Sequence, residues 1–324
     1  VTLMINSKIS QGKRGSFSFS MLFKIDIKVF VTIISFAFIG TSIYGNFETL
    51  FNYKITNNEI KWILLGIIFS FLSIIINAYA WKLLIKNIGC KSNKLDVVKL
   101  FLVTNIYKYL PGGVWHFVSR FKKLRLEFST EKSIESILLE PLLMLVAGFF
   151  FIPFGSQSIL FFILCWSSTL VFLPAFRQLL IKLLKEMKSS IFTRKDQLNE
   201  VNSVKKIQDI SIKILFPYKP LFVEIIFVLF RFFGFLCCMS AFFTGSVISQ
   251  GELISSFSLA WIIGLIVPAA PGGLGVFESV ILFKLGSNLP EAPLLMVLLF
   301  YRLVSTISDL FAALIYPVKK VFKV

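Results

Sequence analysis

The chain has 324 residues, 56% of them hydrophobic, with 38 Phe, a mean hydropathy of +0.82 and a formal charge of +17. A soluble domain of this length could not hide so much apolar surface, and several runs approach the ~20 apolar residues that cross a bilayer. The runs are continuously apolar, which argues against a transmembrane barrel with its alternating strands. No soluble basic domain with stacking aromatics is present, which argues against nucleic-acid binding.

In chain order, the first long run is "VFVTIISFAFIGTSIYG" from Val29. It has no small-x-small cleavage site, so it reads as a retained first span and not a signal peptide. Val1, Met4 and Met21 remain candidate starts. Six segments are expected to span: roughly 28–45, 61–82, 133–152, 157–173, 220–244 and 293–316. Two more, about 97–120 and 256–284, are interrupted in the middle by Pro-Gly-Gly. Each half has only ~12–15 residues, too short for ~30 Å at 1.5 Å per residue. They read as re-entrant hairpins, a half-helix in and a half-helix out.

Charge supports that reading. With two hairpins, residues 1–28, 82–132, 174–219 and 317–324 fall on one side and hold 29 of the 34 Lys and Arg. The other side receives Lys54, Lys61 and Lys284. The positive-inside rule then puts both termini in the cytoplasm of a multi-pass inner-membrane protein. The first hairpin enters from the cytoplasm and the second from outside. Each is preceded by two spans and followed by one, in opposite orientations. The expected architecture is therefore an all-α polytopic membrane protein with about six spanning helices plus two re-entrant hairpins, arranged as an inverted repeat. The first repeat covers about 28–152 and the second about 157–316, within a single integral membrane domain over 1–324. The basic loop 174–219 begins with the amphipathic "LLIKLLKEMK" from Leu179. It reads as an orientation signal lying on headgroups, or as a dock for acidic lipids or a soluble partner.

The two interruptions match in register: "PGGVWHFVS" from Pro111 and "PGGLGVFES" from Pro271. Inverted repeats with broken helices are how many transporters build a site at mid-membrane. Pro ends the incoming half-helix and Gly permits the turn. The outgoing half-helix then begins with unpaired N–H groups that attract anions such as phosphate. Gly112, Gly113, Gly272 and Gly273 leave that backbone open to a headgroup. The alternative is that both turns only pack the two halves together.

Ionisable residues at membrane depth are further candidates. His116, Arg120 and Glu278 flank the turns, and Glu140, Glu224, Arg231, Arg302 and Asp309 lie in or near spans. Arg302 and Asp309 are seven apart and share a helix face. Arg302 either holds a phosphate through its planar fork or pairs with Glu278 or Asp309. Glu224 reads as interfacial, and Tyr301, Trp62, Trp81 and Trp115 as interfacial or core aromatics. Cys90, Cys165, Cys237 and Cys238 have no metal or redox spacing. No Ser-His-Asp arrangement, Walker A pattern or dinucleotide fingerprint occurs. No metal, cofactor or catalytic residue is expected.

The stretches "NIYKYLPGGVWHFVSRF", "PAAPGGLGVFES" and "YRLVSTISDLFAAL" resemble the flippase-like transmembrane domain of lysylphosphatidylglycerol synthases. The resemblance covers nearly the whole chain. It implies a lipid-handling membrane protein, here a stand-alone form without the soluble aminoacyl-transfer domain. The family motif positions fall on Tyr109, Leu110, Pro111, Gly112, Trp115 and Arg120, and on Pro271, Gly272, Gly273, Gly275, Glu278, Tyr301 and Arg302.

The expected function is a lipid translocase moving a phospholipid, aminoacyl-lipid or lipid-linked sugar across the cytoplasmic membrane. The expected substrate-binding residues are Gly112, Gly113, His116, Arg120, Gly272, Gly273, Glu278, Tyr301, Arg302 and Asp309. The partner is a membrane lipid with an anionic or lipid-linked headgroup. The alternative is an accessory protein that presents a lipid to a separate glycosyltransferase or aminoacyltransferase docked on the cytoplasmic face. A third reading, an integral-membrane transferase, has no evident nucleophile or metal site.

Overall fold

The structure, a computed structural model, describes residues 44, 47–53, 55–90, 95–110, 114–155, 158–172, 216–243, 248–267 and 275–315. The expected first span at 28–45, most of the basic loop and both Pro-Gly-Gly turns lie outside the described residues. All regular structure among the described residues is helical.

In chain order the helices are α1 (Phe47–Asn52), α2 (Asn57–Asn87), α3 (Val97–Asn105), α4 (Trp115–Leu124), α5 (Thr130–Phe149), α6 (Ile159–Trp166), α7 (Tyr218–Phe242), α8 (Gln250–Ile266), α9 (Val276–Leu285) and α10 (Glu291–Leu314). Short 3₁₀ turns at Ile106–Tyr109, Ile152–Gly155 and Ser167–Phe172 extend α3, α5 and α6. Four of these units are long and apolar enough to cross a bilayer: α2, α5 with its 3₁₀ extension, α7 and α10. They fall on the expected spans at 61–82, 133–152, 220–244 and 293–316. The expected span at 157–173 is a shorter piece among the described residues. Eight α-helical and six 3₁₀ residues extend only about 24 Å.

Each interrupted segment is a pair of helices packed on each other, α3 with α4 and α8 with α9. None of the four legs reaches ~30 Å, the longest being the 17 residues of α8. Local chemistry sets where the incoming legs begin. The Asp96 side chain accepts from Lys99 N at 3.2 Å, and the Ser249 side chain from Glu252 N at 3.2 Å. Each cap satisfies one of the first orphan N–H groups. The Ser249 cap starts α8 at Gln250, ahead of the expected 256.

The core of the bundle is α2 against α7, with α10 packed on both. At the α2–α7 crossing, a Cβ on Gly66 would stand 3.3 Å from the Gly234 carbonyl oxygen, and one on Gly234 would collide with Ser70 Oγ. Small residues let the two backbones approach; lipid supplies little hydrophobic force between helices, so such close packing holds them. Both hairpins are attached to this core at α10, α3 directly and α9 at its outgoing end.

Candidate functional site

α10 presents two ionic centres about two turns apart on one face. Asp309 is fully buried. Asn105 Nδ2 donates to its Oδ1 at 2.8 Å, and Tyr109 Oη donates to its Oδ2 at 2.6 Å. Lys108 Nζ pairs with Oδ2 at 2.7 Å, and Arg231 of α7 stands 3.8 Å from Oδ1. The incoming leg of the first hairpin thus closes on the last helix through three side chains of one short stretch. A carboxylate without water is stable only with such partners.

The second centre joins Arg302 to Glu278 of α9. Arg302 Nε and Nη2 both donate to the Glu278 carboxylate, the latter at 3.2 Å. The same carboxylate accepts from Gly275 N at 2.8 Å, capping the first turn of α9. Gly275 has φ 89°, a left-handed conformation open to Gly at little cost. So the glycine that follows the second turn and the glutamate three residues later together present the start of α9 to α10. The Arg302 guanidinium also lies 5.3 Å from the Phe277 ring centroid, within cation–π range.

The two centres belong to one field. Lys108 lies within the influence of Asp309, Arg231 and Arg302. Three cations, Lys108, Arg231 and Arg302, face two carboxylates, Asp309 and Glu278. Among the described residues of this group, the cations outnumber the carboxylates by one. Arg302 is 21% exposed at its side chain, whereas Asp309 is sealed. Arg302 is therefore the cation of this group that a ligand can reach together with Lys108, which is 22% exposed.

Of the expected site residues, Glu278, Arg302 and Asp309 come together in this way. Among the pairings open to Arg302, the one formed is with Glu278. Tyr301 is buried in an aromatic cluster, its ring centroid 5.5 Å from Phe235, 5.9 Å from Phe257 and 5.4 Å from Phe277. It lines the core behind the site. Arg120 is fully buried and committed elsewhere: Nη1 donates to both Glu140 oxygens at 2.7 and 2.6 Å, and Nε to Thr104 Oγ1 at 3.1 Å. Its guanidinium lies over Phe101 at 3.9 Å. This arrangement locks α4 to α3 and α5. The His116 ring lies tilted against Phe117 with centroids 3.8 Å apart, and its Nδ1 has no partner among the described residues. Gly112, Gly113, Gly272 and Gly273 lie outside the described residues. Glu224, read as interfacial, is 2% exposed and fully enclosed by protein.

Asn105 and Lys108 were not among the expected site residues. Their signal was present: Asn105, Lys108 and Tyr109 fall at i, i+3 and i+4, a polar stripe on an otherwise apolar leg.

Four bundle-forming spans, two broken helix pairs and an ionic seam that joins them define a polytopic helical membrane protein with an enclosed charged centre. The model for the lysylphosphatidylglycerol synthase TM region matches residues 27–313, and the chain belongs to that family. No curated protein matches it.

Proposed function

We propose that this protein is a lipid translocase of the flippase-like kind, acting in the cytoplasmic membrane with both termini in the cytoplasm. Its substrate on this reading is a phospholipid, an aminoacyl-lipid or a lipid-linked sugar. The observation that carries the reading is the face of α10, where both hairpins converge on Arg302 and Asp309 and the described cations outnumber the carboxylates by one. Charge at membrane depth is costly and marks substrate pathways. Membership in a family named for a lipid synthase supports a lipid as the molecule handled.

On this reading an anionic headgroup enters between the hairpins. Backbone N–H groups at the start of the outgoing legs and the helix dipoles receive its phosphate. Gly112, Gly113, Gly272 and Gly273 give the headgroup access to that backbone. Arg302 changes partner from Glu278 to phosphate through its bidentate fork, and Lys108 is the second cation within reach. Glu278 and Asp309 balance charge, or bind an amino-bearing headgroup when one is present. Arg120 and Tyr301 hold the walls, and His116 lines the outgoing leg beside the turn.

The test is mass spectrometry of lipids retained by the purified protein, compared with a Gly112→Ala/Gly272→Ala double variant. Selective loss of one anionic or glycosylated lipid from the variant is the expected result. Identical lipid profiles would remove the turns from the site. They would favour an accessory protein that presents its lipid to a separate transferase.

A further inference from the structure

Away from the seam on α10, a second set of buried polar groups lies among α2, α4, α5 and α7. Arg120 directs Nη1 at both oxygens of Glu140, while its Nη2 has no hydrogen-bond partner among the described residues. Trp81 of α2 lies 5.1 Å below the guanidinium, and its Nε1 is also unpartnered. One turn earlier on the same face, Asn77 Oδ1 bonds nothing. Glu224 of α7 is 2% exposed, and its Oε1 bonds nothing. The charge that reaches Glu224 is that of Glu140, a like charge.

The charged groups on the helices packed against α7 are engaged elsewhere or lie exposed, and Glu131, Lys132 and Glu135 belong to the first two turns of α5. From α5 comes Glu140, already held by Arg120. α10 sends Asp309 to Arg231 and Lys108, and Arg302 to Glu278. α8 carries Glu252 at its first turn, within hydrogen-bond reach of Asn288. On α2, Lys61, Lys82 and Lys86 are exposed, and Glu59 is capped with Thr56 at the opposite end from Trp81. Among the described residues, Glu140 is held by Arg120 and no cation is paired with Glu224. No group of three or more His, Cys, Asp or Glu that could hold a metal ion occurs among the described residues. The smallest cation that one carboxylate can take, with no further ligands, is a proton.

We propose that Glu224, beside the Arg120–Glu140 pair, is a proton-binding site whose proton couples lipid movement to the proton gradient. The coupling rests on the translocase reading; the proton site does not. A proton bound on the Glu224 carboxyl leaves the pair electrically balanced. Its departure sets a second buried negative charge against that of Glu140, the partner of Arg120. Arg120 sits on α4, the outgoing leg of the first hairpin, so repulsion at Glu140 acts on the leg that leads from the first turn. Buried carboxylates of this kind form the proton relays of pumps and transporters.

Two measurements test this on the full chain in phospholipid bilayers. Infrared spectroscopy at neutral pH reads the carbonyl band of protonated carboxyl groups. The wild type shows that band, Glu224→Gln loses it, and Glu224→Asp retains it. A band unchanged by Glu224→Gln, or absent from the wild type, overturns the proton site. In proteoliposomes carrying a fluorescent anionic phospholipid, wild-type flipping depends on an imposed pH gradient, and Glu224→Gln flips at one rate whatever the gradient. Wild-type flipping indifferent to the gradient overturns the coupling. No flipping by the wild type under any condition removes the translocase reading and the coupling with it, while the infrared band still decides the proton site.

Discussion

The two hairpins share a motif but are held by different forces. The first is fastened by charge: Asn105, Lys108 and Tyr109 close on Asp309, and Arg120 closes on Glu140. The second is fastened by rings: Phe257 of α8 and Phe277 of α9 pack at 5.7 Å from each other and onto Phe235 and Tyr301. The ion pair Arg302–Glu278 is at the edge of the cluster and partly exposed. Aromatic rings prefer edge-to-face contacts of the kind this cluster shows. Buried ion pairs have discrete arrangements and resist partial opening. The second hairpin is thus held mainly by ring packing, and the first by buried charge.

Substitutions break or sharpen this contrast. The largest effect is expected from Arg120→Ala, which strands Glu140 inside the bundle. Breaking a buried pair by removing one partner costs about 3–5 kcal/mol, so thermal unfolding in detergent should fall by many degrees. Arg120→Ala/Glu140→Leu, which removes both charges, should recover much of that loss. Next is Phe257→Ala in the second hairpin, with a cavity cost of about 3 kcal/mol and no change in the response to removing charges from the first. Gly148→Ala is smaller. Its Cβ would stand 2.7 Å from Ile262 Cγ1, and overpacking of this kind costs about 1–3 kcal/mol at the α5–α8 contact. Smallest and equal are the two caps, Asp96→Ala and Ser249→Ala, each expected to cost about 1 kcal/mol. A clear inequality between the caps would mean that the two incoming legs differ in more than what holds their far ends. Melting curves of the purified variants in one detergent decide all of these.

Much of this was legible in the residues. Apolar runs of sufficient length marked α2, α5, α7 and α10, and Pro-Gly-Gly marked both broken pairs, because bilayer thickness and the missing Pro donor are local constraints. Spacing also placed Arg302 and Asp309 on one helix face. The partners were harder to read. Asp309 meets Asn105 and Tyr109 across 204 and 200 residues, and no local rule specifies contacts at that separation. Arg120 beside a turn resembled a ligand-binding cation, yet Glu140, twenty residues on, claims it. Glu224 resembled an interfacial residue by its place near a helix start, but the bundle leaves it 2% exposed. In each case a short-range pattern located the charge and the tertiary fold chose its partner.

The most direct test of the central claim is flipping of a fluorescent anionic phospholipid in proteoliposomes, wild type beside Arg302→Ala, with both proteins shown to be folded by their melting curves. The wild type should equilibrate the probe between leaflets faster than protein-free vesicles, and Arg302→Ala should lose that acceleration. A folded Arg302→Ala protein that flips lipid at the wild-type rate would contradict the assignment of the α10 seam as the headgroup site.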